Sequence, residues 1–410
     1  MNNNRLILAK GQTYSLDTYE TQLNNNVLVV GTSGSGKTRS IVEPNILQAT
    51  GSYIVSDPKG NLHRKYKSYL ESQGYKVLKL DFTDPLNSAH YNFFNYIRST
   101  ADIVKVAHML IYQEETGHRV DPFWDQSSQL LVQSIISYLM EFSRKDERNL
   151  KNLMRLISLC SITEDSDEET PVDVIMEDAG KKNPDSYAVN TYKKFRIAAT
   201  RTLKSILITV NAKLGVFDFS EMNTMMACDD INIPMIGEQN TALFVVVSDT
   251  DRSMDNLANV FFTQAMQELC RHADKECPDE HLPVPVRFIL DDFATNVRIE
   301  DFPRMIASIR SRWISTMLMI QAESQLDAAY DEDGKTIIGN CDTYVYLGGN
   351  DLATARAVAD RCDVPYKKIL NMPIGTNWIF RRGQAPVNGT NFELEKFRMI
   401  KMMGTQGLVI

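Results

Sequence analysis

The sequence predicts an α/β chain with a mostly parallel central sheet, interrupted by an all-α insertion. Short β-branched runs recur at 26–30, 52–56, 76–80, 242–248, 286–290, 315–320 and 342–347. Several are nearly continuous in apolar residues, as strands buried on both faces of a parallel sheet are. Between about 97 and 240 such runs stop and helical stretches replace them, at 129–140 and at 190–214. A chain of 410 residues with 43% hydrophobic content is long enough for two domains with cores of their own. The expected division is a discontinuous α/β domain, 1–96 with 241–410, and an all-α domain at 97–240.

The first predicted strand, 26–30, runs directly into Gly31-Thr32-Ser33-Gly34-Ser35-Gly36-Lys37-Thr38, after which the pattern allows a helix to start. This is a complete phosphate-binding loop in the right setting. Glycines at 31, 34 and 36 let the backbone turn with its N–H groups aimed at phosphate oxygens. Lys37 is placed to reach the β- and γ-phosphates, Thr38 to offer its hydroxyl to Mg²⁺, and the following helix N-terminus favours the anion. A nucleoside triphosphate, ATP with Mg²⁺, is the expected ligand.

The strand expected at 286–290 ends in Asp291-Asp292, an apolar strand closed by two acids. Paired with a phosphate loop, this reads as Walker B. Asp291 would hold Mg²⁺ and Asp292 would orient or deprotonate the attacking water. Glutamate is usual at the second position, and aspartate is one methylene shorter, so the water must sit closer to the strand end. More than about 250 residues separate the two motifs, far more than a minimal nucleotide core needs, which is where the insertion is expected.

Composition sets further bounds. The net charge of −8 gives no global basic field, so any contact with nucleic acid must come from a local patch. Acidic residues concentrate at 164–169, read as a solvated loop. The six cysteines form no C-x-x-C and have no histidine at ligand spacing from a pair, which argues for reduced thiols and against zinc. No signal-peptide pattern opens the chain and no apolar run approaches 18 residues, so a soluble chain is expected. The stretch 190–214 carries Lys193, Lys194, Arg196, Arg201, Lys204 and Lys213, either a solvated face or a contact for DNA or a substrate protein.

Other segments, taken in order, resemble one family. Asp57-Pro58-Lys59-Gly60 is similar to the D-P-K-G-E segment that follows the second strand in conjugative coupling proteins, and Leu290-Asp291-Asp292-Phe293 to their L-D-E-F. The segment Met305 to Arg312, then the strand ending at Gln321, resembles their arginine helix and glutamine-ending strand. Asn340 to Gly349 followed by Thr354-Ala355-Arg356 is similar to their late strand. The chain thus resembles the TraG/TraD-like type IV secretion coupling ATPases, closest in style to versions on Gram-positive mobile elements.

That resemblance implies a RecA-like motor acting as a hexameric ring. Lys37, Thr38, Asp291 and Asp292 match the nucleotide, metal and Walker B positions, and Gln321 matches a polar residue near the γ-phosphate. It also implies movement of single-stranded DNA, without regard to sequence, with a relaxase and its accessory proteins towards type IV secretion channel components at the cytoplasmic face of the membrane. Read as one helix, 302–313 places Phe302, Met305, Ile306, Ile309 and Trp313 on one face, Arg304 and Arg312 on the other, and Arg310 at the border. Arg310 there suits a finger donated to the next subunit's nucleotide, or else an ordinary solvated or phosphate-contacting arginine. Full-length members usually carry N-terminal membrane helices; none is read in these residues, whether because the sequence is a soluble piece of a longer protein or because the member is naturally anchorless, and the isolated chain is expected to be mainly monomeric. Two rival readings stay open: a double-stranded DNA pump, and a nucleotide-gated docking platform with little turnover.

Overall fold

A computed structural model of the chain describes residues 4–112, 122–161, 169–295 and 297–403. The acidic run at 164–168 lies outside them. The chain divides into two compact units, one made of 1–80, 232–250 and 265–410, the other of 81–231 and 251–264. The second unit therefore starts earlier than the 97 expected from sequence, ends earlier than 240, and takes in 251–264 as well.

Among the described residues the first unit contains eleven strands: β1 Arg5–Ala9, β2 Gln12–Ser15, β3 Val27–Val30, β4 Ser52–Ser56, β5 Lys76–Asp81, β6 Thr241–Val246, β7 Val286–Leu290, β8 Ile314–Ile320, β9 Thr343–Tyr346, β10 Thr376–Arg381 and β11 Val387–Thr390. β1 and β2 form an antiparallel ribbon, and the other nine form one sheet in the order β11-β10-β9-β3-β8-β7-β4-β6-β5. From β9 to β6 neighbouring strands are parallel, and β10 pairs antiparallel with both β9 and β11. The seven runs read from sequence all became strands of this sheet. Their near-continuous apolar character has the expected cause, since every residue of β3, β4, β6, β7, β8 and β9 is buried.

Two buried asparagines tie the sheet to its surroundings. Asn26 accepts from the Thr316 backbone N–H and hydroxyl and donates to Asn340 O, joining the start of β3 to β8 and to the turn before β9. Asn45 accepts from Ile7 N–H (2.9 Å) and donates to Ile7 O and Ile41 O (2.7 Å each), clamping β1 to the helix after the phosphate loop. Asn45→Ala strands the buried Ile7 N–H. It is expected to destabilise this unit by about 1–3 kcal/mol, read as a lowered midpoint in denaturant; an unchanged midpoint contradicts the clamp.

The second unit is helical, with its longest described member at Pro122–Phe142, where Leu131, Val132, Ile135, Ile136 and Leu139 are buried at helical spacing. The single helix read at 190–214 is two helices, Tyr187–Arg196 and Thr200–Leu214, parted at Ile197, which is 82% exposed. A straight rod over 190–214 would run about 37 Å; broken, both halves pack against the helix Pro122–Phe142. Of its basic residues, Arg196 pairs with Asp173 and Lys213 with Asp125, so those two belong to the unit's own packing.

The single helix read at 302–313 is likewise corrected. It is a short helix, Phe302–Ile306, then a 3₁₀ turn, Ile309–Arg312. Trp313 takes the left-handed conformation (φ 58°) and turns the chain straight into β8. Phe302, Ile306 and Ile309 are buried as expected, while Met305 and Trp313 are only partly so.

Candidate functional site

In the parallel sheet β3 and β8 end level, Val30 pairing with Ile320, while β7 and β4 end level with each other two residues short of them, Leu290 pairing with Leu318 and Ser56 with Leu290. The residues that follow are Gly31, Gln321, Asp291 and Asp57. A ligand crevice is expected at this edge of an open α/β sheet. A cleft of about 990 Å³ opens here, lined by Thr32, Ser33, Gly34, Gly36, Lys37 and Thr38 together with Asp57, Asp291, Asp292 and Gln321.

The loop's glycines act for two different reasons. Gly34 and Gly36 have φ of 78° and 95°, open to glycine at little cost. Gly31 is needed for space: a Cβ there would lie 2.6 Å from Ser35 Oγ and 3.0 Å from Leu347 Cβ. Gly31 is buried and Ser35 half-buried. Their N–H groups, with that of Thr32, serve Ile320 O, Thr32 O and Gly348 O, so these three hold the loop's shape and are not aimed at a phosphate. The loop is braced from outside by Asn391, whose Nδ2 donates to Ser35 O (3.3 Å) and whose Oδ1 accepts from Asn377 (3.0 Å).

Beyond the loop the helix opens with a π turn, Thr38–Val42, in which Glu43 N–H reaches back to Thr38 O. Pro44 explains it: proline has no N–H and its ring would strike the carbonyl four residues back, so the turn widens.

Thr38 Oγ1 donates to Asp291 Oδ2 at 2.6 Å, which sets two oxygen donors side by side in the cleft wall. That is a donor set suited to a hard cation such as Mg²⁺. Burial raises the Asp291 pKa, opposed by the Thr38 hydroxyl and the Lys37 charge. Lys37 is nearly buried and its Nζ donates to Gly31 O and Thr32 O. Burial lowers the Lys37 pKa, opposed by Asp291 and Asp292. Asp292 has φ 52°, a left-handed backbone that aspartate tolerates better than most residues.

Gln321 is exposed and lines the same cleft. Its backbone N–H donates to Gln325 Oε1 (2.7 Å), and Gln325 Nε2 donates to Thr295 Oγ1 (2.9 Å). Gln325 therefore links the end of β8 to the loop after the two acids.

Arg310 is elsewhere. It precedes β8 and lies at the amino edge of the sheet, a strand length of about 23 Å from Gln321. Its Nη2 donates to Thr18 O at 3.3 Å. Arg312 is engaged in a two-pronged ion pair with Asp274 (2.7 and 2.8 Å), and Arg304 is exposed.

Sequence reasoning missed Asp57, Glu43, Gln325 and Asn391. Asp57, whose sequence signal is the D-P-K-G resemblance alone, is 3% exposed, accepts from His63 N–H, and is raised in pKa by burial. Glu43 lines the cleft and is held by Lys65 and Tyr66. Its signal was position alone, one turn beyond Thr38.

The fold is shared with solved coupling-protein structures. The unbound form of the bacterial conjugative coupling protein TrwBdeltaN70 superposes with a TM-score of 0.66 at 16% identity, over 95% of this chain and 88% of that one. A form of TrwB in complex with ADP and Mg²⁺ gives 0.62 at 17%, covering 90% of this chain and 86% of the other. This is a RecA-like α/β fold with a mostly parallel sheet. Residues 3–362 match the family model described as type IV secretory system conjugative DNA transfer, and the chain belongs to that family. A curated relative, the type IV secretion system-coupling protein VirD4 of Bartonella henselae, is 20% identical over 377 residues, which is 88% of this chain and 56% of that protein. The chain thus spans little more than half the length of that relative. Among the described residues, no helix is long and apolar enough to cross a membrane.

Proposed function

We propose that the chain is an Mg²⁺-dependent ATPase of the coupling type. It would work as a hexameric ring that draws relaxase-bound single-stranded DNA towards a type IV secretion channel at the cytoplasmic face of the membrane. The observation that carries this reading is the convergence of Lys37, Thr38, Asp291, Asp292 and Gln321 on one cleft from three separate segments of the chain. The family membership and the TrwB complexes with nucleotide support it.

In this reading Thr38 and Asp291 hold Mg²⁺, which would neutralise charge on the phosphates, and Lys37 leaves its loop carbonyls to pair with them. Asp292 orients or deprotonates the attacking water. Gln321 senses the γ-phosphate and, through Gln325, is coupled to the loop after Asp292. Arg310 serves the neighbouring subunit's site, which its position at the far edge of its own sheet allows. The discontinuous motor domain carries the site, and the helical unit, with exposed Lys193, Lys194 and Arg201, is the candidate for cargo contact. Contacts to DNA would be mainly to phosphates and therefore sensitive to salt.

The test separates the two acids. Asp292→Asn is expected to keep Mg·ATP binding and lose turnover by about 10²-fold or more, whereas Asp291→Asn shifts the Mg²⁺ requirement itself. Wild-type hydrolysis in both variants would place the catalytic acid elsewhere.

A further inference from the structure

At the amino edge of the sheet, away from the nucleotide cleft, a second cleft of about 580 Å³ opens between β7, β8 and the first turns of the chain. Arg287 lines it and is 6% exposed. The register sets Arg287 between Tyr53 on β4 and Ser315 on β8. Its Nε donates to Ser315 Oγ at 3.3 Å, and its Nη1 is buried without a hydrogen-bond partner. No carboxylate among the described residues forms an ion pair with it. A guanidinium does not shed its proton in a protein, and a buried charge without a counter-charge is unfavourable. The fold therefore keeps a cation beside a cavity that could admit an anion.

The rest of the lining agrees. Arg310 supplies a second guanidinium, exposed and held by one long bond to Thr18 O. Asp17 is the one acid among the lining residues, and its carboxylate already accepts from Tyr19 and Glu20 N–H. Tyr19, 72% exposed, and Trp313, stacked on His281 at 3.7 Å, flank the opening with aromatic surface.

We infer that this cleft is a second phosphate-binding site, in which Arg287 and Arg310 together hold the phosphate group of a ligand. One charge-assisted bond from each guanidinium suits a divalent oxyanion, which can accept from both at once. The volume admits a phosphate together with an attached nucleoside, so the group could be free inorganic phosphate or that of a nucleic-acid backbone. The site lies within one subunit and does not depend on ring assembly.

The test uses the full chain carrying Lys37→Ala, so that the phosphate loop is weakened as a competing site. At constant ionic strength, inorganic phosphate and a short single-stranded oligothymidylate are titrated, with melting temperature and tryptophan fluorescence as readouts. A saturable rise in melting temperature with a fluorescence change is expected. Adding Arg287→Met should abolish it, and adding Arg310→Ala should weaken it about tenfold, the worth of one charge-assisted bond. Equal affinity for both probes identifies free phosphate as sufficient; tighter binding of the oligonucleotide identifies the nucleic-acid backbone. Circular dichroism checks the Arg287→Met fold, and if that variant fails to fold, Arg310→Ala, a change at an exposed residue, decides alone. No saturable response to either probe, or a response untouched by the arginine changes, overturns the site.

Discussion

Lys37→Ala is expected to abolish ATP hydrolysis, by about 10²–10³-fold or more, with the fold retained. Among the described residues Lys37 Nζ bonds only to the carbonyls of its own loop, Gly31 and Thr32. Truncation therefore removes a cation that no core packing depends on. It also relieves the burial that already depresses its pKa, so the melting temperature should hold while turnover is lost. Wild-type turnover in this variant would remove the phosphate loop from the mechanism.

The second large effect concerns Arg310. Arg310→Ala should lose hydrolysis under conditions that drive ring formation, since an arginine supplied in trans is worth about 10³-fold or more in other phosphate-loop enzymes. Within one subunit Arg310 and Lys37 lie at opposite edges of the sheet, so the arginine cannot serve its own subunit's nucleotide. Mixing inactive Arg310→Ala with inactive Lys37→Ala should then restore part of the activity, at interfaces where one chain gives Lys37 and the other Arg310. Because the isolated chain is expected to be mainly monomeric at micromolar concentration, the mixture is assayed across ratios with DNA or high protein concentration. Recovery at no ratio, or full activity of Arg310→Ala alone, would return Arg310 to a surface or DNA-contact role.

Much of the α/β unit was legible because parallel strands buried on both faces are nearly continuous apolar runs. Val27–Val30 and Ile314–Ile320 could hardly be read otherwise. The motifs at Gly31–Thr38 and Asp291-Asp292 carried chemistry in their residue types, and register alone brought them to one edge. What stayed hidden lacked such a signal. β1 with β2 and β10 with β11 are short antiparallel pairs, half-exposed in places, whose alternation is too brief to separate from loop. The break at Ile197 came without proline, glycine or a capping side chain, since Ala199 caps the second helix by backbone alone. Trp313 in a left-handed conformation ended another helix that its apolar spacing favoured. In the loop itself, Gly31 looked like a turn residue and proved to be a spacing residue. Asn391 braces Ser35 from 356 positions away, a distance at which no local pattern speaks.

The central claim is that ATP turnover at the Lys37–Asp291 cleft is coupled to single-stranded DNA. Steady-state ATPase of the wild-type chain, measured without DNA, with single strands and with duplex at equal nucleotide concentration, tests it most directly. The account predicts strong stimulation by single strands of any sequence, falling as salt rises, and abolished by Lys37→Ala. Stimulation by duplex alone would make the chain a double-stranded DNA pump, and tight ATP binding with no stimulation by either form would make it a docking platform; either result contradicts the account.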